Sequence, residues 1–311
     1  VAHKKFLVSR LAELCLFAAL ALIYHASGTL QLDELRQFLA TQAALPLSLQ
    51  LAAVMIVLAV ILKTAQLPLH GWLIQVMEAP TPVSALLHAG IVNIGGFILI
   101  RLAALLNQAV IAQGILVLAG TTTAVLASLV MMTRVSIKVR LAWSTCAQMG
   151  FMLLEIGLGL YELALLHLLA HSLYKGALFM VAGIIDHQTG RKDFLDTGGW
   201  ARYLPVTSAS AGLAALSLAG VMPLFGFIAK EQLLEAGLRH GHALAPLFIA
   251  AIVIAAALGV AVAAVIAIRP WFGKPAPLTH TPSEAPPAML LGPALLASLG
   301  LLLGLIPGLR S

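Results

Sequence analysis

Long apolar blocks alternate with short polar stretches along the whole sequence. Nine blocks can be counted, at about 6–30, 49–77, 82–106, 111–132, 139–160, 162–185, 205–238, 244–268 and 287–307. Each is near or above the length that an α-helix needs to cross a hydrocarbon core of roughly 30 Å. Leu and Ala dominate the blocks, and such side chains favour helix over strand. The pattern predicts an all-α polytopic membrane protein with about nine transmembrane helices. Two blocks carry a proline and a glycine in mid-run, Pro68 with Gly71 and Pro223 with Gly226. A break at membrane depth frees backbone groups, which is tolerated only against protein or a wet cavity. Both blocks are therefore expected to be broken helices. Paired interruptions in separated halves of a chain point to an inverted repeat whose ion path runs beside the breaks.

Composition identifies the solvent. Of 311 residues, 61% are hydrophobic and only 10% charged, against about 25% charged in a soluble domain. This excludes an ordinary soluble enzyme as well as a disordered or fibrous chain. The net charge of +6 would suggest nucleic acid in a soluble protein. Here the cations occupy loops, so a bilayer rather than nucleic acid is the expected partner. Assigning loops alternately to two sides places eleven Lys and Arg on the side of the N-terminus and four on the other. The positive-inside rule then predicts that the N-terminus of this chain is cytoplasmic and its C-terminus opposite. Cys15 and Cys146 lie in apolar runs without a CxxC spacing, so neither a disulfide nor a metal site is expected. The sequence opens Val1-Ala2-His3-Lys4-Lys5, with no initiator Met and no signal-peptide pattern, which suggests an internal piece of a longer protein.

Three lysines remain inside apolar blocks: Lys63, Lys175 and Lys230. A lysine at mid-bilayer costs roughly 2.5–3.5 kcal/mol on insertion scales, so such residues are functional candidates. Snorkelling to an interface is the plain alternative for Lys63, but Pro68 follows five residues later. Lys230 likewise lies close to a break, four residues after Gly226 and seven after Pro223. His167, His171 and Lys175 recur at i, i+4, i+8 and share one helix face. Imidazole donates and accepts near neutral pH, so this stripe suits a proton relay. A histidine pair at that spacing also suits a metal, but the helix offers no carboxylate or third ligand, and no metal is expected. His88, two turns into the third block, is either a packing residue or part of the same path. Lys138, between Arg134 and Arg140, is either a topology charge or a path residue. Glu78 and Glu231 are candidate charge partners for the neighbouring lysines, and moving a partner would switch a buried lysine. Nothing resembles a nucleotide, flavin, iron–sulfur or zinc site, so no cofactor and no catalytic site are expected in the chain.

On these residues the sequence resembles the antiporter-like membrane subunits of complex I and their relatives. The segment Leu62 to Leu73 followed by Glu78 to His88 is similar to the broken-helix motif of that group. Ile137 to Gly150, His167 to Lys175 and Gly226 to Glu231 resemble its other signatures, in family order over nearly the whole chain. The resemblance implies that Lys63 is the central lysine of a first half-channel, with His88 beside it. It implies a connecting polar axis of Lys138, His167, His171 and Lys175, and a terminal lysine at Lys230. Residues 1–110 would be the last three helices of the first half-channel repeat, 111–270 the second repeat, and 271–311 a linker and C-terminal transmembrane helix. Five family helices would be missing before them, including the one whose glutamate pairs with the Lys63 position.

Within the superfamily, about 45–175 looks most like the B subunit of the DAB inorganic-carbon transporter. About 176–308 looks more like the A subunit of Mrp sodium/proton antiporters, and the L subunit of complex I, the NADH dehydrogenase subunit 5 type, comes third. The expected function is proton conduction within a larger membrane complex. The current would drive CO2 hydration in a zinc-containing soluble partner if the chain is DAB-type. It would be exchanged for sodium beside further antiporter subunits if Mrp-type, or serve an NADH-quinone oxidoreductase-like translocase. The rival from another class is a membrane scaffold that transports nothing.

Overall fold

The computed structural model describes residues 2–193, 198–239, 245–273 and 282–306. Its helices are α1 (Ala2–Ser27), α2 (Leu32–Ala40), α3 (Leu47–Lys63), α4 (Gly71–Gln75), α5 (Thr81–Ala89), α6 (Ile94–Arg101) and α7 (Ala103–Leu106). Then come α8 (Val110–Met132), α9 (Ile137–Gly157), α10 (Tyr161–Thr189), α11 (Pro205–Ala219), α12 (Phe225–Arg239), α13 (Ala245–Phe272) and α14 (Pro287–Gly304). Six segments are long and apolar enough to cross a membrane: His3–Ser27, Thr81–Arg101, Val110–Met132, Tyr161–Thr189, Ile249–Phe272 and Pro287–Gly304. Large apolar side chains such as Val110, Leu118 and Leu291 stand well exposed, as lipid-facing residues do. The chain is a multi-pass membrane protein.

Three of the nine expected blocks are not among those six. One is α9, whose 21 residues include Lys138, Arg140 and Glu155. The other two are the blocks with a proline and a glycine, which the breaks shorten to 17 residues in α3 and 15 in α11. Both prolines follow cis peptide bonds. At the first break the freed groups find protein partners. Trp72 Nε1 donates to Leu62 O at 3.1 Å, and Leu67 N donates to Thr123 Oγ1 of α8 at 3.1 Å. At the second, Gly226 N donates to Ser217 Oγ at 3.2 Å, and a Cβ on Gly226 would collide with Ser217 O. Only glycine fits there. The last helix closes over the same break: a Cβ on Gly304 of α14 would run into Pro223 O and lie 2.7 Å from Phe225 N.

Two features depart from the expected pattern. A short helix, α2, follows the first span, burying Leu35 and Leu39 while Asp33 and Glu34 occupy its first turn. The third block, read from sequence as one span, is divided: α5 ends at Ala89, a 3-10 turn runs Ile91–Asn93, and α6 follows. Gly90 leaves helical geometry at φ −124°, ψ −71°, and the Asn93 side chain donates to the freed Ala89 O at 2.7 Å. An amide side chain thus replaces the lost helix bond, which no proline or charge advertised.

Helices α8 and α9 pack backbone against backbone. A Cβ on Gly120 would lie 2.6 Å from Gly150 O, one on Gly150 2.6 Å from Ala124 N, and one on Gly157 2.9 Å from Val117 N. Lipid tails are as apolar as leucine, so helices in membranes associate through such close backbone packing and through polar side chains. The glycine seam sets α9 in place, and α9 carries much of the site.

Candidate functional site

The buried polar side chains gather on α9, α10 and the helix ends around them. Lys175, His171 and His88 are fully buried, His167 nearly so. Lys175 Nζ donates to Ser144 Oγ at 2.7 Å and to Leu141 O at 3.2 Å, both on α9. The His171 ring faces Asn93 Oδ1 through Nδ1 at 3.1 Å, and Asn93 also donates to Ser172 Oγ at 2.7 Å. The break at Gly90 is what brings Asn93 to this point. His88 stacks on Phe179 of α10 with ring centroids 4.4 Å apart, and neither ring nitrogen has a partner among the described residues. Three residues of the expected stripe therefore share one environment, and His88 lies beside it across α5 and α10.

His167 is held from both sides. Its Nδ1 lies 2.8 Å from Glu155 Oε1 and its Nε2 2.9 Å from Gln148 Oε1, both on α9. Tyr174 OH donates to the same Gln148 oxygen at 3.2 Å. A cavity of about 580 Å³ opens next to this group, lined by Gln148, His167 and Tyr174 on one wall and by Gly220, Gly226 and Lys230 on the other. Lys230 reaches back to the second break, donating to Leu218 O at 2.7 Å and Ala219 O at 3.0 Å. The cavity thus joins the histidine stripe to the lysine of the second break.

Lys63 ends α3 at the first break. Its Nζ donates to Ser9 Oγ at 2.9 Å and lies 3.5 Å from Glu13 Oε1, both on α1. A cavity of about 300 Å³ lined by Ser9, Lys63, Trp72, Leu87 and Gly95 adjoins it. Lys138, in the first turn of α9, pairs with Asp186 of α10 at 3.1 Å, one turn before the Leu141 carbonyl that Lys175 uses.

The two expected charge partners do not fill that role. Glu78 and Glu231 are exposed and form no ion pair among the described residues. Glu231 follows Lys230 directly, and neighbours i, i+1 on a helix do not face each other. Glu78 lies beyond the break, after α4. Sequence reasoning also missed Glu13, Glu155, Gln148, Asn93 and Ser144. For α9 a signal existed: Ser144, Gln148 and Glu155 recur at i, i+4, i+11, one helix stripe. Among the described residues no cluster of three or more His, Cys, Asp or Glu could hold a metal.

Several known proteins resemble this chain. It is 57% identical over 182 residues to the Hydrogenovibrio crunogenus protein "Probable inorganic carbon transporter subunit DabB", covering 58% of this chain and 35% of that protein. It is 34% identical over 305 residues to NADH-quinone oxidoreductase subunit L of Mycobacterium tuberculosis, 96% of this chain and 48% of the relative. Its fold superposes on a chain of the Mrp complex from Dietzia with a TM-score of 0.87 at 36% identity, over 98% of this chain and 33% of that one. The chain therefore spans about a third to a half of the length of these relatives. The family model described as NADH:quinone oxidoreductase/Mrp antiporter, TM matches residues 1–259, a stretch that holds both broken helices and every buried lysine and histidine described above, and the chain belongs to that family.

Proposed function

We propose that the chain is the proton-conducting part of a membrane subunit that works within a larger complex, most closely of the DAB inorganic-carbon type. The observation that carries this reading is the cavity of about 580 Å³ between His167 and Lys230. It sets a titratable stripe and the partly buried Lys230 on opposite walls of one space. Protons would travel among Lys63, His88, Lys138, His167, His171, Lys175 and Lys230, with the breaks at Pro68/Gly71 and Pro223/Gly226 supplying polar backbone at membrane depth. In this reading 1–110 closes a first half-channel, 111–270 forms a second and 271–311 adds the terminal helix. The cation bias of the loops supports a cytoplasmic N-terminus for this chain, and its bacterial relatives support a bacterial inner membrane. The 57% identity to a DabB protein over 58% of the chain supports proton-driven uptake of bicarbonate or CO2, with hydration performed by a zinc-containing soluble partner.

A second reading rests on a different observation. The A1 subunit of a Staphylococcus haemolyticus Na(+)/H(+) antiporter aligns with 99% of this chain at 35% identity, which supports sodium/proton exchange beside further antiporter subunits. The full-length protein with its partners, in vesicles, tests conduction. Lys230→Ala should abolish proton flux while assembly stays normal, whereas intact flux with poor assembly would make the chain a scaffold. Rescue of a carbonic-anhydrase-deficient strain in air favours carbon uptake, and restored sodium tolerance favours antiport.

A further inference from the structure

Glu155 is the one carboxylate among the described residues with no exposed surface, and nothing in the proposed path uses it. A buried carboxylate is stable only if it is paired or holds a proton. Its Oε1 faces His167 Nδ1 at 2.8 Å, and its Oε2 has no partner among the described residues. On the neighbouring elements, α8 offers no titratable side chain, α13 offers Arg269 near its end, α12 offers Lys230, Glu231 and Glu235 along the cavity, and α10 offers His167 and Tyr174, with Tyr161, Glu162, His171 and Lys175 on the same helix. Beside this pair, Phe151, Leu154 and Leu163 belong to an apolar cluster that continues to Leu233 and Ile252.

The acceptor chemistry around His167 constrains where a proton sits. Gln148 Oε1 accepts from Tyr174 OH and faces His167 Nε2 at 2.9 Å; an amide oxygen only accepts, which puts a hydrogen on Nε2. In a neutral imidazole the other nitrogen is then an acceptor. An ionised carboxylate is also acceptor-only. Two acceptors 2.8 Å apart need a proton between them.

We propose, resting on the proton-conducting reading, that Glu155 and His167 form a carboxylate–imidazole station holding one transferable proton. Loaded, the station has the proton between Nδ1 and Oε1 and no net charge. Empty, it carries one negative charge on Glu155, beside a cavity whose far wall bears Lys230. Only a proton is exchanged; no other bond forms or breaks. Glu155 gives the proton on His167 a counter-charge, so occupying this step of the path places no isolated cation in the bilayer.

The test uses the full-length protein with its partner subunits in vesicles. Glu155→Gln preserves shape and should slow proton flux about tenfold or more, the scale on which positioned acid–base groups act. It should also change the pH profile of flux and remove a protonated-carboxyl band from infrared difference spectra. Glu155→Asp should restore part of the flux. Wild-type flux and pH profile in an assembled Glu155→Gln protein would overturn the proposal. Should that variant fail to assemble, ring 15N spectra of the wild-type protein, assigned with His167→Asn, decide: a His167 Nδ1 without a shared proton wherever flux is measured also overturns it. Lys230→Ala separates the two readings. If it abolishes flux while Glu155→Gln does not, the station alone falls; if neither variant slows flux, conduction itself falls.

Discussion

The ammonium of Lys63 lies 3.5 Å from the carboxylate of Glu13, tying the first helix break to α1. Ser9 completes the contact, accepting from Lys63 at 2.9 Å and donating to Glu13 at 3.2 Å, and Arg10 lies 2.8 Å from the same carboxylate. Both partners of the pair are partly exposed, so its strength is that of a surface ion pair. Glu13→Gln is expected to slow flux about twofold to fivefold, the equivalent of the roughly 0.5–1 kcal/mol such a pair contributes. Glu13→Asp should fall between the two, and vesicle flux at low and high salt measures both.

Asn93 joins three elements by three hydrogen bonds, to Ala89 O, Ser172 Oγ and His171 Nδ1. Asn93→Ala strands the Ala89 carbonyl and the His171 ring nitrogen, while Ser172 Oγ keeps its bond to Leu168 O. It should cost about 1–3 kcal/mol of stability, the usual penalty for an orphaned buried polar group. Thermal unfolding in detergent reads the loss, and an unchanged midpoint would mean that the break at Gly90 is capped some other way.

The α8–α9 seam makes a sharp contrast within one helix pair. Gly150→Ala puts a methyl 2.6 Å from the Ala124 amide, and overpacking of this kind costs typically about 1–3 kcal/mol. Gly114→Ala, on α8, meets nothing within 4 Å and should be neutral or stabilising by about 0.5–1 kcal/mol through helix propensity. The thermal midpoint should fall for Gly150→Ala and hold or rise for Gly114→Ala.

Lys230 caps two carbonyls that the second break sets free. Lys230→Met fills similar space without donors. It is expected to abolish flux and to lower stability by about 1–3 kcal/mol. Lys230→Arg should keep stability better than flux, because it retains donors and charge but does not release a proton. Flux and unfolding measured on the same preparations separate the two effects.

The solvent, the helical class and the two breaks at Pro68 and Pro223 were legible in the sequence, because apolar run length and proline have few other meanings in a membrane. The stripe of His167, His171 and Lys175 was legible from spacing alone. The partners of these groups were not. Glu13 stands three residues from Arg10 near the start of a helix and reads as an interface residue until tertiary packing sets it beside Lys63. Glu155 is as costly in an apolar run as a lysine, yet attention to cations passed over it. The division at Gly90 left no proline to mark it, since an asparagine from the following turn does the capping. The gap between Glu231 and its expected role is a matter of helix angle, which adjacency in sequence conceals.

Gly304 contributes no charge, no hydrogen-bonding side chain and no bulk, and it stands 74 residues from Lys230 in sequence. It is nevertheless where α14 rests directly on the backbone of the Pro223–Phe225 turn. Any side chain there would push the turn off the last helix, and with it the carbonyls that Lys230 grips. A survey of this protein that ranks positions by chemical reactivity would pass over Gly304, yet sensitivity to substitution should peak there as well as at the lysine. Its emptiness holds the turn in place.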